Sequence, residues 1–216
     1  MAASFGVVFL VLMLVVSSGV AFSAPLGGIG GFTIKADRIE GDDLYQYVSV
    51  SDTSKRAGIP VAVAEFTEIR IEGLQLMKEF EGVPAIGGNA RIVITSTGTV
   101  TADSLLIKQS YIYAEKSTFS GLLIDEQPSD DITEQFRQVA PSTGAERHSG
   151  MDQFTNPQTI NLSGGENPGQ VFVNATIQAH YQAVNEIHIP GLTLAAEYDA
   201  NGDGDYTDEG DISLGG

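Results

Sequence analysis

From Phe32 onward, apolar and polar residues alternate with a period of two. The pattern is clearest at Ile69/Ile71, Ile92/Ile94, Val171/Val173/Ala175/Ile177 and Ile187/Ile189, where Thr, Glu, Arg, Asn or His occupy the positions between or beside them. Successive side chains of a strand point to opposite faces, so each such segment presents one apolar and one polar face. Glycine and polar turns interrupt the pattern. Strands are therefore expected at 32–38, 44–50, 60–66, 67–77, 90–97, 99–107, 110–115, 118–125, 158–163, 170–183 and 186–196.

Half-buried strands of this kind pack face to face, whereas strands of a helix-covered parallel sheet read as continuous apolar runs. The expected fold is all-β, a β-sandwich or jelly roll, with a short β-solenoid as the alternative because ADRIEG and ADSLLI are loosely alike. One short helix is expected near 130–139. Asp131 can cap it, Glu134 stands at the third position, and Ile132, Phe136 and Val139 form a stripe. The polar, turn-rich stretch 140–159 reads as a surface loop.

The two ends differ from this body. No charged side chain precedes Lys35, and residues 4–22 form an apolar run of about the length that spans a bilayer core. Ala21 and Ser23 suit a signal-peptide cleavage site, but the basic flank of such a signal is missing, so a cleaved signal and a retained membrane anchor both stand. Either reading puts the rest of the chain outside the cytoplasm. The organisation expected is a hydrophobic helix over 1–24, a glycine-rich tether over 25–31, a β-rich domain over 32–198 and an acidic tail over 199–216.

Charge decides which partners are excluded. Eleven Lys and Arg against 28 Asp and Glu give a net charge of −17. A nucleic acid needs a basic face that these cations hardly supply, and anionic lipid is disfavoured for the same reason. With no cysteine, disulfides and thiolate chemistry fall away. Beyond Arg147 there are ten acidic residues and no Lys or Arg.

Part of that acidity is patterned. Asp199, Asn201, Asp203, Asp205 and Thr207 place oxygens at alternate positions, Gly204 allows a sharp turn at the sixth, and Glu209 or Asp211 can close the set. Hard cations take six to eight oxygen ligands, and alternate residues of a tight loop can turn theirs inward. The segment resembles EF-hand-like and dockerin-type calcium loops. It departs from the EF-hand at the twelfth position, where Gly210 stands in place of a bidentate Glu. The resemblance implies Ca2+ as the bound ion; a solvated acidic tail is the plainer alternative.

Catalytic signals are weak. His180 and His188 lie on alternating strands and read as sheet residues before they read as a metal pair; His148, with Ser149 and Asp152, lacks a nucleophile-elbow context. The glycines of 27–31 lack the Lys-Ser/Thr end of a phosphate loop. Asp42/Asp43 and Asp130/Asp131 read as turn and cap residues, and Asn161 and Asn174 head two glycosylation triplets. No enzyme is expected.

The stretches GFTIKADRIEGDDLYQYVSV, IPVAVAEFTEIRIEGLQL, VTADSLLI and STFSGLLIDE resemble an uncharacterised family of extracytoplasmic proteins best known in actinobacteria, with an N-terminal hydrophobic helix and a β-rich domain. The likeness covers roughly residues 30–125 and, more weakly, 158–196. It implies location and fold, and no functional residue comes with it. Three roles follow. The first is a non-enzymatic structural or assembly protein of the cell surface, stabilised by calcium and self-associating as a homo-oligomer or filament. There Phe32–Arg38, behind its flexible tether, could complete a neighbour's sheet. The second is a β-fold holding a lipid or other apolar ligand, and the third is a cell-wall or carbohydrate enzyme.

Overall fold

The computed structural model describes residues 30–53, 57–83, 87–140 and 168–214. The apolar segment 4–22, tether residues 25–29, the expected strand 158–163 and His148 lie outside them.

The described residues build one continuous twelve-stranded sheet. It begins with β1 (Phe32–Gly41) and β2 (Asp43–Ser51), which run on through a bend at Asp42. β3 (Ile59–Glu72) and β4 (Gln75–Phe80) return alongside them. The pairing holds one register from Ser51↔Ile59 through Asp43↔Thr67 and Arg38↔Glu72 to Thr33↔Met77. The four strands thus form one long antiparallel hairpin. Gly73, at φ +65, makes the bend between β3 and β4; a Cβ there would sit 2.2 Å from an Asp37 carboxylate oxygen.

The remaining strands are β5 (Asn89–Thr95), β6 (Val100–Phe119), β7 (Leu123–Glu126), β8 (Phe136–Ala140), β9 (Gln170–Val184), β10 (Ile187–His188), β11 (Thr193–Asp199) and β12 (Ile212–Leu214). β1 bonds to β9 on one edge and to β3 and β4 on the other; β9 bonds to β6, and β6 to β3. That sequence of pairings returns to its start, so β1, β9, β6 and β3 close into a ring. Two wings extend from it, β4–β5–β11–β12 and β2–β8–β7. The all-β expectation holds. Among the described residues the pairing does not give the two separate sheets of a sandwich, because each described strand is hydrogen-bonded into one sheet.

The core fills the ring: Phe32, Ile34, Ile39, Phe66, Ile69, Val100, Leu105, Ile107, Phe172 and Ile177 are all buried. Their alternation with polar residues is what turns them inward. The expected helix is much shorter than 130–139. The Asp131 side chain accepts the Thr133 N–H as foreseen, but α1 covers only Ile132–Gln135. Phe136 and Val139 belong to β8, which pairs with β2 from Leu44↔Ala140 to Tyr47↔Arg137. A single turn has few internal hydrogen bonds, and pairing to an open strand edge supplies more.

In this fold Phe32–Arg38 is paired within its own chain. Phe32 and Ile34 are buried, and β1 is bonded on both edges within its own chain.

Candidate functional site: an apolar cavity and the acidic loop behind its wall

The ring and the β4–β5–β11 wing enclose a cavity of about 120 Å³. Phe32, Ile34, Phe66, Ile107 and Ile177 form part of its floor, and Leu76, Ile94, Val184, Ile187, Ile189, Leu192 and Leu194 surround them. Among the lining residues only Gln182 is polar. The floor residues are buried, whereas those seven are half-buried or, in the case of Leu192, exposed, so the cavity reaches the surface on the β10–β11 side. The turn between β10 and β11 is tied to the end of β5: Ser96 Oγ donates to the Pro190 carbonyl at 2.6 Å and the Thr97 N–H to the same oxygen at 3.2 Å. An apolar void of this size stays dry in proteins and takes up hydrocarbon, an engineered one of about 150 Å³ holding benzene.

At the start of β1, beside cavity residues Phe32 and Leu76, two nitrogen-bearing side chains meet. Lys78 is 4% exposed, and its Nζ donates to the Gly31 carbonyl at 2.5 Å. On Gly31's other flank lies His180, next to the β9 irregularity where the pairing shifts between Lys108 and Tyr111. Neither ring nitrogen of His180 has a hydrogen-bond partner among the described residues, and both are shielded from solvent. Burial pulls the His180 imidazole below its ordinary value, and the nearby Lys78 charge pulls it further. Sequence reasoning passed over Lys78, because a lone Lys in an alternating strand reads as solvent-facing; its apolar neighbours on one face, Leu76 and Phe80, were the available signal.

The acidic loop lies behind the same wing. Leu76, Ile94 and Leu194 are register partners whose side chains line the cavity. Three positions along stand Glu79, Arg91 and Glu197, whose parity puts them on the opposite face. Arg91 Nε donates to Glu197 at 2.5 Å, and its guanidinium lies 3.9 Å from the centre of the Tyr206 ring. Tyr206, in the middle of the loop, is buried. Residues 212–214 then add β12 to β11. Asp199, Tyr206 and β12 thus fasten this stretch to the sheet, while most of the residues between them are exposed.

Within the loop, backbone N–H groups hold the carboxylates. Asp199, fully buried, accepts the N–H of Gly202 at 2.5 Å and of Gly204 at 2.8 Å, and Asn89 Nδ2 lies 3.4 Å away. Burial alone would raise its carboxyl, but the N–H groups of Gly204, Gly202 and Asp203 with the Asn89 amide outweigh that and hold it below the usual carboxylate range. Asn201 accepts from Asp203, Asp203 from Asp205, and Asp205 from Thr207. Asp211 accepts the Ala200 N–H at 2.9 Å. Of the two residues that could close the set, the fold therefore brings Asp211 back to the Asp199 end, while Glu209 is exposed. A carboxylate offers about four lone-pair sites, so these bonds leave acceptor capacity. Among the described residues no three His, Cys, Asp or Glu side chains are grouped as a metal site.

His180 and His188 are not brought together: His188 pairs opposite Thr101, whereas His180 lies at the irregularity beside Lys108 and Gln109, further along β6. Asn174 sits in β9 at φ +50 and donates to Glu115 at 2.5 Å. Among the described residues no helix is long and apolar enough to cross a membrane.

A family of unknown function (DUF6230) matches residues 30–201. That span takes in the ring, the cavity and the first three residues of the acidic loop, Asp199 and Asn201 among them, but stops short of Tyr206 and Asp211. No curated protein and no solved structure matches the chain.

Proposed function

The chain belongs to that family of unknown function, and from its own residues we propose that it is a non-enzymatic, extracytoplasmic β-domain that holds a small apolar ligand. The cavity carries this reading: seventeen of its eighteen lining side chains are apolar, and it opens at an apolar rim. Transfer of hydrocarbon from water into such a space is favoured by about 25 cal/mol per Å² of buried apolar surface. The acidic loop stiffens the outer face of the wall, with Ca2+ as the ion and Asp199, Asn201, Asp203, Asp205, Thr207 and Asp211 or Glu209 as the ligand set. Export rests on the apolar segment 4–22, whether cleaved or kept as an anchor. A neutral probe such as methyl octanoate tests the reading. Saturable binding to the purified chain, abolished by Ile189→Trp at the rim, supports it, and absence of saturable binding rejects it.

A structural role through self-association is the second reading. It is favoured by Ile212 and Leu214 on β12 and Ile124 on β7, exposed apolar residues on the two outermost strands. Such edges pair with other chains unless guarded. Sedimentation across a concentration series with and without calcium distinguishes a monomeric binder from an assembling protein.

A further inference from the structure

We propose that the ligand is a hydrocarbon bearing one neutral hydrogen-bonding oxygen, as in an ester, ketone or alcohol, with the Gln182 carboxamide receiving that oxygen; this rests on the apolar-ligand reading above. Gln182 is the one polar residue among the eighteen that line the cavity, and no Asp, Glu, Lys, Arg or His stands among them. The β6–β9 register sets it opposite Ile107 on the cavity floor. Val184, two residues further on, lines the cavity from the same face of β9. The β1–β9 pairing begins at Phe32, opposite Ala179, so Gln182 stands beyond it, on a stretch of β9 that has lost β1 as a neighbour. Gln182 is half-buried there, and its carboxamide has no hydrogen-bond partner among the described residues.

A carboxamide offers two N–H donors and a carbonyl acceptor, and it carries no charge. Against an apolar wall a hydrogen bond gains strength, while a polar group left without one is costly. A free amide in such a lining therefore marks the point where a polar atom of the ligand belongs. A carbonyl oxygen can accept from Gln182 Nε2, and a hydroxyl can accept from the amide or donate to it. An ionised head would lie among apolar side chains with no opposing charge in the lining, which costs far more than a neutral one. The net charge of −17 adds to this by repelling free anions. A cavity slightly smaller than the benzene-holding one takes a body of about six carbons.

Calorimetric titration at neutral pH compares three probes of similar size: ethylbenzene, acetophenone, which adds a carbonyl, and benzoate, which adds a charge. Acetophenone is expected to bind saturably, and benzoate more weakly by about tenfold or more. Gln182→Leu should weaken acetophenone about fivefold, the effect of one net hydrogen bond, and leave ethylbenzene within about twofold. Gln182→Met, closer to glutamine in length, is read in the same way and serves if Gln182→Leu disturbs the wall. Unchanged acetophenone affinity in both variants, or an equal loss for acetophenone and ethylbenzene, overturns the assignment to Gln182. Benzoate binding as tightly as acetophenone overturns the neutral class. Either result leaves the cavity reading standing, whereas failure of all three probes and of methyl octanoate to bind overturns the cavity reading itself.

Discussion

Arg91 holds Glu197 with its Nε at 2.5 Å and stacks its guanidinium on Tyr206 at 3.9 Å, so that one side chain of β5 fastens both the neighbouring strand and the acidic loop. Tyr206 is the residue that turns residues 199–211 from a tail into part of the domain. Tyr206→Ala is expected to destabilise the protein by about 2–4 kcal/mol, combining a lost buried ring with a lost cation–π contact. Urea unfolding measures it. A loss below about 0.5 kcal/mol means that the loop is not energetically docked.

Asp199 supplies a pH test. Its folded carboxyl lies below the ordinary value, because N–H donors favour the charged form more than burial opposes it. Such a group contributes stability that is fully present above the unfolded value of about 3.9 and is lost as pH falls through the lower folded value. Asp199→Asn should therefore be less stable than the parent at pH 7. The gap should narrow as pH drops below about 4, seen in melting temperatures across that range. A gap independent of pH contradicts the assignment.

Gly73 tests the long hairpin. At φ +65 and with its would-be Cβ 2.2 Å from Asp37, Gly73→Ala meets both left-handed strain and a clash. The backbone component alone costs about 1–2 kcal/mol. Gly58→Ala shares the positive φ but has open space at the Cβ, so it should cost less. Chemical denaturation of the two variants gives the comparison, and equal losses would place the whole cost in the backbone.

Calcium is tested by linkage. Extracellular calcium modules bind with a Kd of about 10⁻⁴–10⁻³ M, and an ion at 100 times its Kd stabilises the fold by about 2.7 kcal/mol. Melting temperature should rise with calcium from a chelated baseline, and Asp203→Ala with Asp205→Ala should remove the rise. An identical melting point with calcium and with EDTA rejects the ion.

The strands were legible because alternation is local. Ile69 and Ile71 both lie on the buried face of β3, as their spacing requires. Lys108 and Gln109 interrupt the apolar pattern, and the expected strands 99–107 and 110–115 leave a break there. In the structure β6 runs straight through them, because β3 pairs with its first half and β9 takes over along the second. Gln109 is even buried. At Asp131 the capping signal was genuine but fixed only one turn, since Phe136–Ala140 satisfies a strand as well as a helix stripe. Ring closure and the cavity were not legible. They depend on β1 meeting β9 across more than a hundred residues, a pairing no local period encodes. The acidic loop was readable as a loop from Gly204 and the alternating oxygens, but its fastening by Arg91 and Tyr206 was not.

Uptake of an apolar ligand is tested most directly by methyl-labelled NMR of the protein titrated with methyl octanoate. Saturable shifts are expected at the methyls of Ile107, Ile177, Val184 and Leu194, which line the cavity. The methyls of Ile212 and Leu214 on β12, which do not line the cavity, should shift far less. Shifts that never saturate, or that fall on β12 and leave the cavity unchanged, would contradict the account.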